Sequence, residues 1–215
     1  MSDPLVLGFD TSAGHCAAAL LRGDELVADR REEMARGQVE RLMPMLEEML
    51  SAAGAAWRDL EALGVGIGPG NFTGIRVAVS AARGLALGLE SPAVGVSSLE
   101  AMALGSDGPV LCSLDARRGM FYVQRFGDEP SGPALAGPED LPLPGPGATV
   151  IGHRAEELAE RSGGVARAPV HGLAEAIARI AVRRMRDPAP ERPAPLYLRA
   201  PDAAPPREAP PEILQ

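Results

Sequence analysis

The sequence predicts an α/β fold made of two related halves, and three observations carry that expectation. A short apolar strand, Leu63-Gly64-Val65-Gly66-Ile67, runs into the glycine turn Gly68-Pro69-Gly70-Asn71. A helix follows without a linker, its apolar residues recurring at 75, 78, 79, 82, 85, 86 and 89, which is the helical period. The strands and helices around this unit fall in the order βββαβαβ, and a second series opens in the same way near residue 110.

In chain order, Leu5 to Phe9 reads as a buried strand, and Asp10-Thr11-Ser12-Ala13-Gly14 supplies turn residues before a second strand, Cys16 to Leu21. Gly23-Asp24 marks a hairpin into a third strand, from Glu25 to about Glu32. The spacing predicts helices over 38–53 and 75–89, strands over 63–67 and 93–96, and a short helix capped near Ser97 or Ser98. The second half begins with a strand from Val110 to Leu114 that ends at Asp115, and Met120 to Phe126 is its hairpin partner. A proline-rich stretch, 130–146, precedes a strand over 149–151 and helices at about 154–161 and 173–186. This second half is a degraded echo of the first. We therefore divide the chain into residues 1–104, a smaller second half over 105–187, and a tail over 188–215 in which nine of 28 residues are proline. The tail is expected to be extended or disordered, although Pro195-Leu196-Tyr197-Leu198 is apolar enough to dock.

Composition narrows the function classes. The net charge of −8 is the wrong sign for a protein that holds nucleic acid by its own phosphate contacts. Cys16 and Cys112 lie in separate apolar segments, which suits buried free thiols. The start, Met1-Ser2-Asp3-Pro4, lacks the basic and apolar regions of a signal peptide, and no run of about 18 apolar residues occurs, so the expectation is a cytoplasmic protein without a membrane segment.

The glycine turn invites a phosphate, because free N–H groups at a helix start favour an anion. The chain contains no lysine, so a GxxxxGK loop cannot exist, and the glycine spacing fails GxGxxG. The plainer reading is a tight corner with Asn71 or Thr73 capping the helix. Asp10 and Asp115 each end a first strand, one in each half, and with Ser12 and Gly70 they are candidates for a residual nucleotide site. Their alternative role is to accept backbone hydrogen bonds in the turns. His15, His153 and His171 are far apart in sequence, so a helical HxxxH metal site is absent. Ser12 and His15 share a loop without a GxSxG elbow, and no catalytic residue, metal ligand or cofactor is assigned.

Two helices have unusual faces. In the second, Val77, Ala81, Gly84 and Gly88 form an additional small or apolar face, and glycines inside a helix suggest close approach of another backbone. In the first, Leu42, Met45 and Met49 belong to a methionine-rich helix, and methionine is over-used at adaptable surfaces. These residues are candidate partner contacts, with ordinary core packing as the alternative.

The residues that carry these readings also resemble a known family. They are Leu7-Gly8-Phe9-Asp10-Thr11-Ser12, Arg41-Leu42-Met43-Pro44-Met45-Leu46, the whole of 68–89, Gly95-Val96-Ser97-Ser98-Leu99-Glu100-Ala101, Asp115-Ala116-Arg117 and Pro195-Leu196-Tyr197-Leu198-Arg199. In that order they resemble the TsaB (YeaZ) family of bacterial proteins required for threonylcarbamoyladenosine in tRNA. Gln38 and Asn71 stand where many relatives have histidine and serine. The resemblance implies a duplicated actin-like fold, of the class shared with sugar kinases and Hsp70, in a member that is not the catalyst. It implies pairing, through helices 38–53 and 75–89, with a TsaD-type catalytic subunit that transfers a threonylcarbamoyl group to N6 of adenosine 37 in tRNAs reading codons that begin with adenine. A TsaE-type ATPase would bind the pair, and tRNA would be met only through the complex. A face built for a homologous subunit can also pair with itself when that subunit is absent, so a homodimer is expected of the isolated chain. Two other readings stay open at this point: an independent actin-like nucleotide-binding enzyme, and a peptidase.

Overall fold

The computed structural model describes residues 3–187 and 191–199. Strands β1 (Leu5–Asp10), β2 (His15–Arg22) and β3 (Glu25–Glu33) form an antiparallel meander, and β4 (Ala62–Gly66) and β5 (Ala93–Val96) extend it in parallel, giving the sheet order β3-β2-β1-β4-β5. The second half contains β6 (Val110–Asp115), β7 (Phe121–Phe126), β8 (Ala134–Ala136), β9 (Thr149–Gly152) and β10 (Val165–Arg167), in the order β10-β9-β6-β7-β8. Here too the first three strands are antiparallel and the last two join in parallel. Five strands therefore correspond one to one between the halves, which is the duplication the sequence suggests. The three-residue strands β8 and β10 fall where the sequence shows no strand signal.

Helices α1 (Gln38–Ala52) and α2 (Phe72–Leu89) cover one face of the first sheet. Leu5, Leu7 and Phe9 of β1 point into that core with Leu42, Met45, Leu46, Ile75, Ala78 and Val79, whereas Val6 points to the other face. This alternation explains why β1 reads as a continuous apolar run. Helix α2 begins three residues before its apolar period starts, because Asn71 caps it. With 18 residues and a mean hydropathy of 1.3, α2 is the one described helix long and apolar enough to cross a bilayer by those two measures. In this fold it lies on a sheet.

The opposite face of the first sheet is covered by α5 (Leu173–Arg184), which follows the second sheet in the chain. A division at residue 104 by chain order places this helix in the second half, yet its packing belongs to the first. A β-carbon at Gly8 would fall 2.5 Å from the Ala174 carbonyl oxygen, so the bare backbone of β1 lets an alanine-rich helix lie directly on it. Helix α3 (Ser98–Ala103) and α4 (Ala155–Ser162) pack on the second sheet, and Arg184 of α5 pairs with Glu100 of α3. The apolar stretch at 196–198 docks: Leu196 N–H donates to the Ile67 carbonyl at 2.8 Å, and Leu198 packs beside Cys112 and Tyr122. Of the proline-rich tail, residues 188–190 and 200–215 lie outside the described residues.

Candidate partner-binding face and closed aspartate loop

The glycine turn and the β1–β2 loop close on each other. Asn71 Oδ1 accepts from the N–H groups of Thr73 at 3.0 Å and Gly74 at 3.4 Å, and the Asn71 N–H donates to the Ser12 carbonyl at 2.6 Å. Three of the N–H groups at this turn, those of Asn71, Thr73 and Gly74, are therefore taken internally. Thr11 Oγ1 donates to the Gly74 carbonyl at 2.7 Å. A β-carbon at Gly70 would overlap the Ser12 carbonyl oxygen, and one at Gly74 would overlap that of Thr11. Glycine serves here for close backbone approach, and the approaching backbone is the protein's own.

Asp10 lies at the end of β1 with 0% exposure. Its Oδ1 accepts from the Ser12 N–H and the Ser12 hydroxyl, both at 2.9 Å, and lies 2.9 Å from His15 Nε2. Its Oδ2 and His15 Nδ1 have no hydrogen-bond partner among the described residues. In a hydrolytic triad the imidazole bridges serine and carboxylate. Here the carboxylate bridges serine and imidazole, so the Ser12 hydroxyl faces Asp10 in place of His15, and Ser12 itself is buried. Of the four candidate nucleotide residues, Asp10, Ser12 and Gly70 lie together at this closed turn. Asp10 and Ser12 are enclosed, whereas Gly70 and Asp115 are exposed, and the Asp115 carboxylate accepts the Arg117 N–H at 2.7 Å. No cluster of three metal-ligating side chains occurs among the described residues. Both cysteines are buried and free, and burial pushes their thiols up to about 11 for Cys16 and about 12 for Cys112.

The helix faces sort differently from the sequence reading. Leu42, Met45 and Met49 are buried in the chain's own core, so they are not available to a partner. They fall at the i, i+3, i+7 positions of α1 that rest on the sheet. Exposed instead are Val39, at 60%, and Met43, at 39%. On α2, Val77 and Ala81 are half-buried at the edge of the core, while Gly84 and Gly88 are exposed, with none of the described residues within 4 Å of where a β-carbon would sit on either. Leu87 stands between those glycines at 83% exposure. Val39, Met43 and Leu87 were absent from the sequence candidates. For Leu87 the signal was available, since it falls outside the apolar period of α2, whereas Val39 and Met43 lie on the same apolar stripe of α1 as Leu42, Leu46, Met49 and Leu50, and only packing on the sheet separates them.

An ion-pair network braces α1 against β3. The Arg41 guanidinium binds Glu32 and Glu48, each at 2.7 Å, and Arg30 of β3 reaches Glu48 at 2.5 Å. Hydrogen bonds from Arg41 and then Arg30 hold the Glu48 carboxyl down to about 2, and Arg41 likewise holds Glu32 below its ordinary value.

Together the duplicated sheets define a protein of the actin-like class whose aspartate loop is closed and whose α1–α2 side is open. Comparison with known proteins agrees. Residues 30–181 match the family model of TsaD, described as tRNA N6-adenosine threonylcarbamoyltransferase. The chain is 38% identical over 132 residues to the Escherichia coli tRNA threonylcarbamoyladenosine biosynthesis protein TsaB, covering 59% of this chain and 57% of that protein. It spans little more than half the length of the TsaB proteins it matches. An uncharacterized Mycobacterium tuberculosis protein is 38% identical over 208 residues, 93% of this chain and 94% of that one. A solved Pseudomonas aeruginosa structure, described as similar to the peptidase YeaZ, superposes with a TM-score of 0.76 at 28% identity over 91% of this chain and 100% of that chain. The fold alone is shared with component A of Acidaminococcus fermentans (R)-2-hydroxyglutaryl-CoA dehydratase, at a TM-score of 0.55 and 10% identity. The chain belongs to the TsaB (YeaZ) family.

Proposed function

We propose that this protein is a non-catalytic subunit of the machinery that makes threonylcarbamoyladenosine in tRNA. It pairs through the exposed face of α1 and α2 with a TsaD-type subunit that carries the chemistry, and a TsaE-type ATPase joins the pair. The observation that carries this reading is the ridge at Gly84, Leu87 and Gly88, where two helix glycines face open space beside a leucine exposed to 83%. Each helix glycine costs about 1 kcal/mol against alanine, and no contact among the described residues offsets that cost. A helix from another subunit fits closely on such a ridge. The match to the TsaD family model supports a partner of that type, which would share this chain's fold. Without that partner, a second copy of this chain takes its place. Acidic charge fits a subunit that meets tRNA through the complex.

The test is reconstitution with unmodified tRNA, threonylcarbamoyl adenylate, and the TsaD-type and TsaE-type proteins of the same organism. Modification should need this chain, proceed equally with Asp115→Asn, and vanish with Leu87→Arg. Full modification without this chain, or loss of it on Asp115→Asn, would contradict the reading.

A further inference from the structure

The segment 191–199 crosses from one sheet to the other. Buried Pro193 lies 3.4 Å from where a β-carbon of Gly95 would sit, and Leu196 is tied to Ile67 at the end of β4. Further on, Leu198 enters the cluster of Cys112, Tyr122 and Ile151, and Arg199 Nη1 donates to the Ala116 carbonyl, just past β6, at 2.9 Å. Between these anchors Tyr197 stacks on Phe72, with ring centroids 4.7 Å apart. Arg76 Nε donates to the Tyr197 hydroxyl at 2.9 Å, and the Arg76 guanidinium carbon lies 4.0 Å from the Phe72 centroid. The segment thus lies across the carboxyl ends of β4, β5 and β6, which is where ligands settle in open α/β sheets.

We propose that residues 193–199 are a clasp: they occupy the cleft between the two sheets as an internal ligand and tie the halves together, with Arg76 and Tyr197 as the catch. The anchors are of independent kinds. A backbone hydrogen bond and a proline contact hold the first half, a half-buried leucine and an arginine bond hold the second, and the aromatic and cation contacts fix the crossing between them. Access of any ligand to the carboxyl ends of β4 and β5 requires this segment to lift. The catch also stands one turn before Ser80 and Ala81 on α2, so the clasp fixes the start of the helix that presents the pairing ridge. That last consequence rests on the pairing reading. The clasp itself does not, and its test uses the isolated chain.

Hydrogen exchange resolved by peptide reads the clasp directly. The Ile67 N–H is bonded to the Val96 carbonyl in the first half and the Ala116 N–H to the Met120 carbonyl in the second, each at 3.0 Å. In full-length Tyr197→Ala, amides in 66–70 and 114–120 should both exchange faster, on the order of tenfold, while α4 keeps its protection. Tyr197→Phe retains the ring and loses the hydroxyl, and should raise both by a smaller factor. Faster exchange confined to 66–76, with 114–120 at the parent rate, overturns the proposal, as does no change in either. Should the alanine variant fail to fold, the phenylalanine variant decides by the same two peptides.

Discussion

Gly66 lies so close to Asp10 that a β-carbon at position 66 would overlap the carboxylate Oδ2. The same relationship recurs one turn into α2, where a β-carbon at Gly74 would overlap the Thr11 carbonyl oxygen. These glycines seat the aspartate loop on the strand and helix beside it. Gly66→Ala and Gly74→Ala should therefore each destabilise the fold by about 2 kcal/mol or more, read as the shift in a urea unfolding midpoint. A midpoint equal to the parent's for both would mean the loop can move aside without cost.

Gly84 makes the opposite case. None of the described residues lies within 4 Å of a β-carbon there, so Gly84→Ala should raise the stability of the isolated chain by roughly 0.5–1 kcal/mol. The same methyl should weaken pairing with the TsaD-type subunit. A change that stabilises the subunit and loosens the complex has no explanation in core packing.

Met45 and Met43 separate core from surface on α1. Met45 is fully buried and Met43 is 39% exposed. Met45→Ala should cost about 2–5 kcal/mol, whereas Met43→Ala should stay within about 0.5 kcal/mol and show its effect in pairing affinity. Equal stability losses would place the core arc of α1 elsewhere.

The Arg41 network gives stability a defined pH dependence. Glu48 and Glu32 have carboxyls held below their ordinary value by Arg41, so the folded state binds their protons less readily than the unfolded state does. Both contributions are complete above the ordinary value of 4.5 and are lost as pH falls below it, that of Glu48 as pH approaches about 2. Arg41→Gln should flatten the acid limb of a stability profile between those limits and leave the neutral region nearly parallel to the parent. An unchanged acid limb would show that the network does not form in solution.

How much of this was legible follows from the residues. The strand β1 was plain because its two faces are both covered, which leaves an unbroken apolar run. The beginning of α2 was hidden because Phe72, Thr73 and Gly74 fall outside its apolar period, and only the bonds accepted by Asn71 settle the cap. Strands β8 and β10 are three residues each, too short to show alternation. The periodicity of α5 shows that it has an apolar face, yet not which sheet that face covers. On α1 the methionines could not be divided without the sheet, since Met43 and Met45 both border the same arc. The closure of the aspartate loop depends on Gly66, Gly70 and Gly74 meeting Asp10, Ser12 and Thr11 across more than 50 residues of chain, a relationship that spacing does not encode.

The central claim is that the open face of α1 and α2 pairs with a TsaD-type subunit. Light scattering after size exclusion, on this chain alone and mixed with the TsaD-type protein of the same organism, tests it most directly, with Leu87→Arg as the comparison. The account predicts a stable 1:1 species with the parent and separate proteins with Leu87→Arg, whose unfolding midpoint should match the parent's. A 1:1 species that survives Leu87→Arg, or no complex with the parent, would contradict it.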